Sequence, residues 1–220
     1  MRMNKINAIC FDMWGTLCEG GGDPQWKDLY QILDPKQTVD DQIFFKQVEI
    51  SLLTNPWSLK EGIKNISQKL KLVYTEGQIN KGYKSWWSYV EKSKPYPEVQ
   101  DVLAKLEKLK ISKFLISNTD VEAFNFKIKK LDWKKYFDKF FLSGEIGVLK
   151  PNVKIFQTVQ NYLSIPKNKI LMIDDSLYHG IIPARNFGWK SLWLARRKKF
   201  DVRQNNRFKI NDLNGIFQYL

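Results

Sequence analysis

Several features that would put a chain in a special class are scarce or missing here. Cysteine occurs twice in 220 residues, as Cys10 and Cys18, which excludes a disulfide-dense scaffold and fits a reducing compartment. No apolar run approaches the ~20 residues that cross a bilayer. The N-terminal "MRMNKINAICFDMW" holds no secretory core, because Asp12 interrupts its apolar stretch. A cytoplasmic protein without a membrane partner is therefore expected. Zinc-ligand spacings and nucleic-acid motifs are also missing. That absence matters because the formal charge is +13, and "ARRKKFDVRQNNRFK" (195–209) is the obvious patch for a polyanion. The lysines are spread along the whole chain and read as solvated faces, so nucleic acid is not expected as a partner. The same basic field would attract small phosphorylated molecules.

What is present is a regular alternation. Short β-type runs recur at "INAICF" (6–11), "KFLIS" (113–117), "KILMI" (169–173) and "KSLWL" (190–194). Helical periodicity fills the gaps, through Val99, Val102, Leu103 and Leu106, then Val121, Phe124 and Ile128, then Val153, Phe156, Val159 and Leu163. The last of these is expected to open just after Pro151, with the proline in its first turn. The alternation predicts an α/β fold, a doubly wound (Rossmann-like) parallel sheet covered on both faces. Residues 20–95 differ, since they carry helix signals and no strand. Ser58-x-x-Glu61 and Thr75-x-x-Gln78 are capping boxes, and an earlier helix is expected from Thr38 through Leu52. This predicts a core of 1–19 and 96–220 and a small all-helical domain of 20–95. Most of its aromatics, such as Trp26, Trp57, Trp86 and Trp87, are expected as packing residues. The terminal "IFQYL" is expected as a last helix on the core, and the sequence sets no oligomeric state.

In an open α/β sheet, ligands bind beyond the carboxyl ends of the strands. Those ends deliver Asp12, then Ser117, Asn118 and Thr119, then Asp174 and Asp175, with Lys150 just before a helix. Three acids brought together repel one another unless a cation joins them, and carboxylate oxygens suit Mg²⁺ beside a phosphate. A carboxylate can itself be a phosphoryl acceptor. Lys150 supplies positive charge, while the hydroxyls of Thr16 and Ser117 and the amides near Gly15 supply hydrogen bonds.

In "FDMWGTL", "FLISNTD", "GVLKPNVKIF" and "ILMIDDSLYHGIIPARNFGWKSLWL", taken in order, the chain resembles the haloacid dehalogenase-like hydrolase superfamily. The helical stretch resembles the cap that many members insert after the first motif. The resemblance implies Asp12 as nucleophile and metal ligand, with the Trp14 backbone carbonyl as a further ligand. It implies Ser117 and Lys150 on the phosphoryl group, and Asp175 with Asp174 holding Mg²⁺.

Two departures bear on activity. Many members carry a further acid in the fourth motif, where this chain has Gly180, and the adjacent Asp174 looks like the family's paired-acid variant. In the family's phosphatases the position of Trp14 is usually an Asp that protonates the leaving group. Indole cannot do this, and such help is worth ~10²–10⁴ in rate; His179, the single histidine, is a candidate relay. The family's dehalogenases put an aromatic at that position, but they replace the acidic pair and use an arginine near the cap. Residues 19–97 contain no arginine. The reading is thus a Mg²⁺-dependent phosphatase of a small phosphorylated metabolite. The alternatives are a 2-haloacid dehalogenase and a weakly active binding or regulatory protein.

Overall fold

The computed structural model describes residues 6–20, 23–196 and 208–220. Strands β1 (Ala8–Phe11), β2 (Ser112–Ser117), β3 (Lys139–Leu142), β4 (Ile170–Asp174), β5 (Lys190–Leu194) and β6 (Lys209–Ile210) form one sheet in the order β3-β2-β1-β4-β5-β6. Every neighbouring pair is parallel, with Ala8 opposite both Ser112 and Ile170. The order reverses at β1, so the chain leaves β1 on one side and returns on the other. That reversal opens a crevice at the carboxyl ends of β1 and β4. Strands β3 and β6 have no counterpart in the sequence reading.

Between β1 and β2 the chain forms α1 (Asp23–Leu33), α2 (Asp41–Leu53), α3 (Leu59–Lys69) and α4 (Glu76–Lys92). Both capping boxes form, on α3 and α4. The expected helix from Thr38 starts at Asp41, because the Asp40 carboxylate accepts the N–H groups of Gln42 and Ile43. Helix α1 was not expected after "GGGDP", although a proline in the first turn is a helix opener. The four helices enclose an apolar cluster that includes Leu29, Phe44, Leu52, Ile63 and Ile79. Of the four tryptophans expected inside, Trp86 is buried, Trp26 and Trp87 are half-buried, and Trp57 is exposed. The two crossings into this segment are tied together. Cys18 bridges Pro95, Glu19 N–H donates to Lys94 O at 2.8 Å, and Ser93 Oγ donates to Glu19 O at 2.6 Å.

Helices α5 (Val99–Lys108), α6 (Val121–Lys130), α7 (Ser143–Ile146), α8 (Val153–Leu163) and α9 (Ile182–Phe187) complete the core. Alternate strand residues Ile9, Phe11, Leu115, Ile173 and Leu194 face α5 and α6. The opposite set, including Ala8, Cys10, Ile116 and Met172, faces α8 and α9. The period-two pattern thus fills both faces, as a doubly covered sheet requires. Pro151 stands outside α8, which Asn152 caps. The C-terminal segment packs on the core through Leu213 and Ile216, but as a 3₁₀ stretch over Leu213–Gln218. Most of the basic segment 195–209 lies outside the described residues. No helix among the described residues is long and apolar enough to cross a membrane.

Helix α6 is the seat on which the helical segment rests. Glu122 accepts the Leu59 N–H at 2.8 Å and the Tyr83 hydroxyl at 3.2 Å. Lys127 is buried and its Nζ donates to Ser93 O at 2.8 Å.

Candidate active site

Strand β1 is apolar until Asp12, whose N–H still donates to Ile173 O at 2.9 Å. This last ladder bond fixes the carboxylate just beyond the strand. The chain then turns back: Leu17 and Cys18 N–H donate to Met13 O, and Gly15 N–H donates to Cys18 O. Gly15 has φ of 84°, a left-handed conformation that a side chain resists. Within this turn the Met13 and Gly15 peptide groups are used, and the Trp14 carbonyl is not. The turn sends Trp14 and Thr16 in different directions. Trp14 Nε1 donates to Thr119 Oγ1 at 2.9 Å, whereas the fully buried Thr16 accepts the Asp175 N–H at 3.1 Å.

The predicted groups from three strand ends meet around Lys150. Its Nζ donates to Asp12 Oδ1 at 2.8 Å and to Asp174 Oδ2 at 2.6 Å. Ser117 Oγ donates to the same Asp12 Oδ1 at 3.3 Å. All four residues are buried. Asn118, grouped with the phosphate-binding residues from sequence, spends both ends of its amide on Lys150. It donates to the Lys150 carbonyl at 2.9 Å and accepts the Lys150 N–H at 2.8 Å. This two-point clamp holds the lysine backbone, across a cis Lys150–Pro151 peptide, so that the ammonium lies between the two acids.

Burial and charge act against each other in this group. Burial opposes the charge on Lys150, but Asp12 and Asp174 outweigh it and keep the ammonium protonated. Burial also pushes the Asp174 carboxyl up; Asp12 and Asp175 add to that and Lys150 opposes it. One oxygen each of Asp12, Asp174 and Asp175 lies within 4.8 Å of the others. An all-oxygen, triply acidic set next to a lysine fits a hard divalent cation such as Mg²⁺.

The geometry also accounts for Gly180. After Asp175 the chain makes a π-type turn over Leu177–Ile181, a form frequent at functional sites. Ser176 N–H donates to Asp174 Oδ1 at 2.7 Å, which brings the Asp174 carboxylate over Gly180. A Cβ there would stand 2.0 Å from Asp174 Oδ2 and 2.2 Å from its Cγ. Asp174 therefore occupies the space in which a side chain at position 180 would begin. His179, in the same turn, is exposed, with Nδ1 at 3.1 Å from Ser176 Oγ. Its ring is partly shielded from water although the residue as a whole is exposed, and that desolvation, followed by the charge of Lys150, holds it below the usual histidine range.

A cavity of about 560 Å³ lies between the helical segment and the core and adjoins the site through Trp14, Asn118, Thr119 and His179, while Asp12, Lys150 and Asp174 are not part of its lining. Trp14, Trp26, Phe45, Trp86 and Val90 line it, with the carboxylates of Glu19, Glu49 and Asp120. Lys92 and His179 are also on its wall. Burial raises the Asp120 carboxyl to about 6, against the Ala123 N–H and the Trp86 indole, which favour its anion. Trp86 Nε1 is buried and has no partner in hydrogen-bonding geometry. Neither Asp120 nor Glu49 stood out in the sequence. Asp120 was visible only as the fourth residue of "SNTD", and Glu49 is one acid among many on a helix.

An all-parallel sheet that gathers acids, a hydroxyl and a lysine at its switch point defines an enzyme of the α/β class. The model of the haloacid dehalogenase-like hydrolases matches residues 6–188, and the chain belongs to that family. It is similar to (S)-2-haloacid dehalogenase 2 of a Pseudomonas species, 21% identical over 206 residues, which are 89% of this chain and 86% of that protein. It is also similar to the glyceraldehyde 3-phosphate phosphatase of Pyrococcus abyssi, 29% identical over 102 residues, 46% of this chain and 43% of that one. A crystal structure of a phosphatase of the family from Thermococcus onnurineus has the same fold. Its TM-score is 0.65 at 17% identity, and 97% of each chain is covered. Both activities therefore occur among proteins similar to this one.

Proposed function

We propose that this hydrolase is a Mg²⁺-dependent phosphomonoesterase that works through an aspartyl-phosphate on Asp12, under a cap formed by residues 20–95. The observation that carries the reading is the trio Asp12, Asp174 and Asp175 within 4.8 Å. Such an all-oxygen set suits a hard divalent cation beside a phosphate. Asp12, Asp174, Asp175 and the Trp14 carbonyl would hold the cation, which when bound neutralises charge on the transferred phosphoryl group.

The chain's own groups supply the rest. Asp12 accepts Lys150 and Ser117 on Oδ1, and Oδ2 is the oxygen assigned to attack. Its bond to phosphorus forms as the bond to the leaving oxygen breaks, and water then cleaves the aspartyl-phosphate. Lys150 and the Ser117 hydroxyl steady the charge on the phosphoryl oxygens. Thr16 fixes the Asp175 backbone and Asn118 fixes that of Lys150, so both are positioning residues in addition to any contact with phosphate. Trp14, held by Thr119, gives no proton to the leaving oxygen. The reaction should therefore favour esters whose alcohol departs without help.

Hydrolysis of 4-nitrophenyl phosphate with and without Mg²⁺, with Asp12→Asn as control, tests the reading. Metal-dependent phosphate release that the variant loses supports it, and no release from the parent with Mg²⁺ bound overturns it. One observation favours a dehalogenase, the aromatic side chain at Trp14. Halide release from a 2-haloacid in the absence of metal would establish that activity instead.

A further inference from the structure

The sign of the charge inside the cavity is opposite to that of the protein. The chain carries +13, yet Glu19, Glu49 and Asp120 line the cavity beside Lys92; Glu49 is paired with Lys46 at 3.2 Å, and among the described residues the lining is still net acidic. His179 adds no fixed positive charge, since partial desolvation of its ring and the nearby Lys150 favour its neutral form. A wall of this kind repels an anionic leaving group and attracts a cation. The aromatic residues act in the same direction, because the faces of Trp rings carry negative potential that binds ammonium groups. Trp26 and Phe45 form one side of the cavity, with ring centroids 5.1 Å apart, and Trp26 already has the Lys27 ammonium 5.6 Å from its centroid. Asp120 also lines the cavity, its carboxylate held in place by the Ala123 N–H at 2.7 Å. At about 560 Å³ the cavity is also roomier than a two- or three-carbon leaving group needs, within the ~300–1,000 Å³ range of sites for larger molecules.

We infer that the leaving alcohol of the substrate carries a positively charged nitrogen, held between the aromatic wall of Trp14, Trp26 and Phe45 and the carboxylates of Asp120 and Glu49. The substrate is then a phosphomonoester of an amino or quaternary-ammonium alcohol, anionic at the end that meets Lys150 and cationic at the end that enters the cavity. The inference rests on the phosphatase reading for its chemistry, but the recognition it describes does not require turnover.

The discriminating pair is phosphocholine and 3,3-dimethylbutyl phosphate, which have the same shape and differ by nitrogen against carbon. With Mg²⁺ present, KM is expected to be at least about ten-fold lower for phosphocholine, the scale of one desolvated cation–aromatic contact, while kcat also carries the better leaving ability of the ammonium alcohol. Asp120→Asn and Glu49→Gln are each expected to reduce that ratio; asparagine still caps α6, so the first variant keeps its fold. Equal KM for the two esters, or a lower one for the neutral ester, overturns the inference and leaves the phosphatase reading intact. If neither ester is hydrolysed, binding decides, followed by quenching of tryptophan fluorescence with choline and 3,3-dimethylbutanol. Tighter binding of choline that weakens in Asp120→Asn upholds cation recognition even though the phosphatase reading has failed. Equal binding, or none, overturns it.

Discussion

Gly180→Ala tests the most compressed contact in the site. The added methyl would lie 2.0, 2.2 and 2.4 Å from three atoms of Asp174, its Oδ2, Cγ and Cβ. Asp174 has nowhere to go, since it is 2% exposed and held by Lys150 at 2.6 Å and by the Ser176 N–H at 2.7 Å. Either the carboxylate retreats by more than an ångström and loses one of these bonds, or the π-type turn opens. Overpacking costs about 1–3 kcal/mol, and a hydrogen bond to a charged group is worth about 1.5–3 kcal/mol. Removing one partner of a buried ion pair, at about 3–5 kcal/mol, is the upper bound. These terms overlap, so the expected loss is about 2–4 kcal/mol, read by urea unfolding with tryptophan fluorescence. Mg²⁺-dependent activity should fall with it, because the displaced carboxylate belongs to the acidic trio. In an Asp174→Gly background the same methyl meets none of the three atoms, so its cost there should be close to zero. A Gly180→Ala protein within about 0.5 kcal/mol of the parent, with an unchanged Mg²⁺ response, would refute the reasoning.

Asn118→Ala removes both bonds to the Lys150 backbone and should cost about 2 kcal/mol at about 1 kcal/mol per bond. It should also lower kcat/KM, whereas Asn118→Asp should keep the bond from Lys150 N–H alone and rescue in part. Glu122→Ala leaves the Leu59 N–H and the Tyr83 hydroxyl without a partner. A loss of about 1–3 kcal/mol is expected by denaturant unfolding, with faster proteolysis in residues 20–95. Asp120 has a folded carboxyl at about 6 against an ordinary 3.8. Its raised value means that the folded state binds the proton more tightly, so its contribution to stability falls as pH rises from 3.8 to about 6. The difference in stability between the parent and Asp120→Asn should therefore change across that window and be flat above it. Trp14→Asp should raise phosphate release from alkyl esters by about a hundredfold, the low side of general-acid help at ~10²–10⁴, and should change aryl esters less. No change with alkyl esters would show that proton transfer is not what limits turnover.

The core strands were legible because β1, β2, β4 and β5 are short apolar runs bounded by polar residues. Strand β3 (Lys139–Leu142) follows Phe137 and Asp138 without a turn signal, and β6 has two residues, so neither leaves a periodic trace. Helix α1 was lost because three glycines before Asp23 and Pro24 look like an open loop, although the same proline suits a first turn. Asp12, Ser117, Lys150 and Asp174 could be picked out because the fold class alone directs strand ends to one crevice. That rule does not say how a side chain is used. The clamp of Asn118 on Lys150 and the fit of Asp174 over Gly180 arise from contacts between residues far apart in sequence. The acidic wall was invisible for a stronger reason. Glu49 comes from α2 and Asp120 from the end of β2, and only the seating of one on the other brings them to the same cavity.

The tied crossings at Cys18–Pro95 and Glu19–Lys94 give the chain a particular freedom. The helical segment leaves and rejoins the core at one place, so β1 and β2 register on each other without reference to what lies between them. To the sheet the whole segment is a single loop, and the entropy of closing a loop grows only slowly with its length. Lengthening, shortening or exchanging that segment would change which molecule the cavity admits while leaving the acids and Lys150 where they are. Descent with modification can thus work on selectivity and on bond cleavage in separate stretches of the gene.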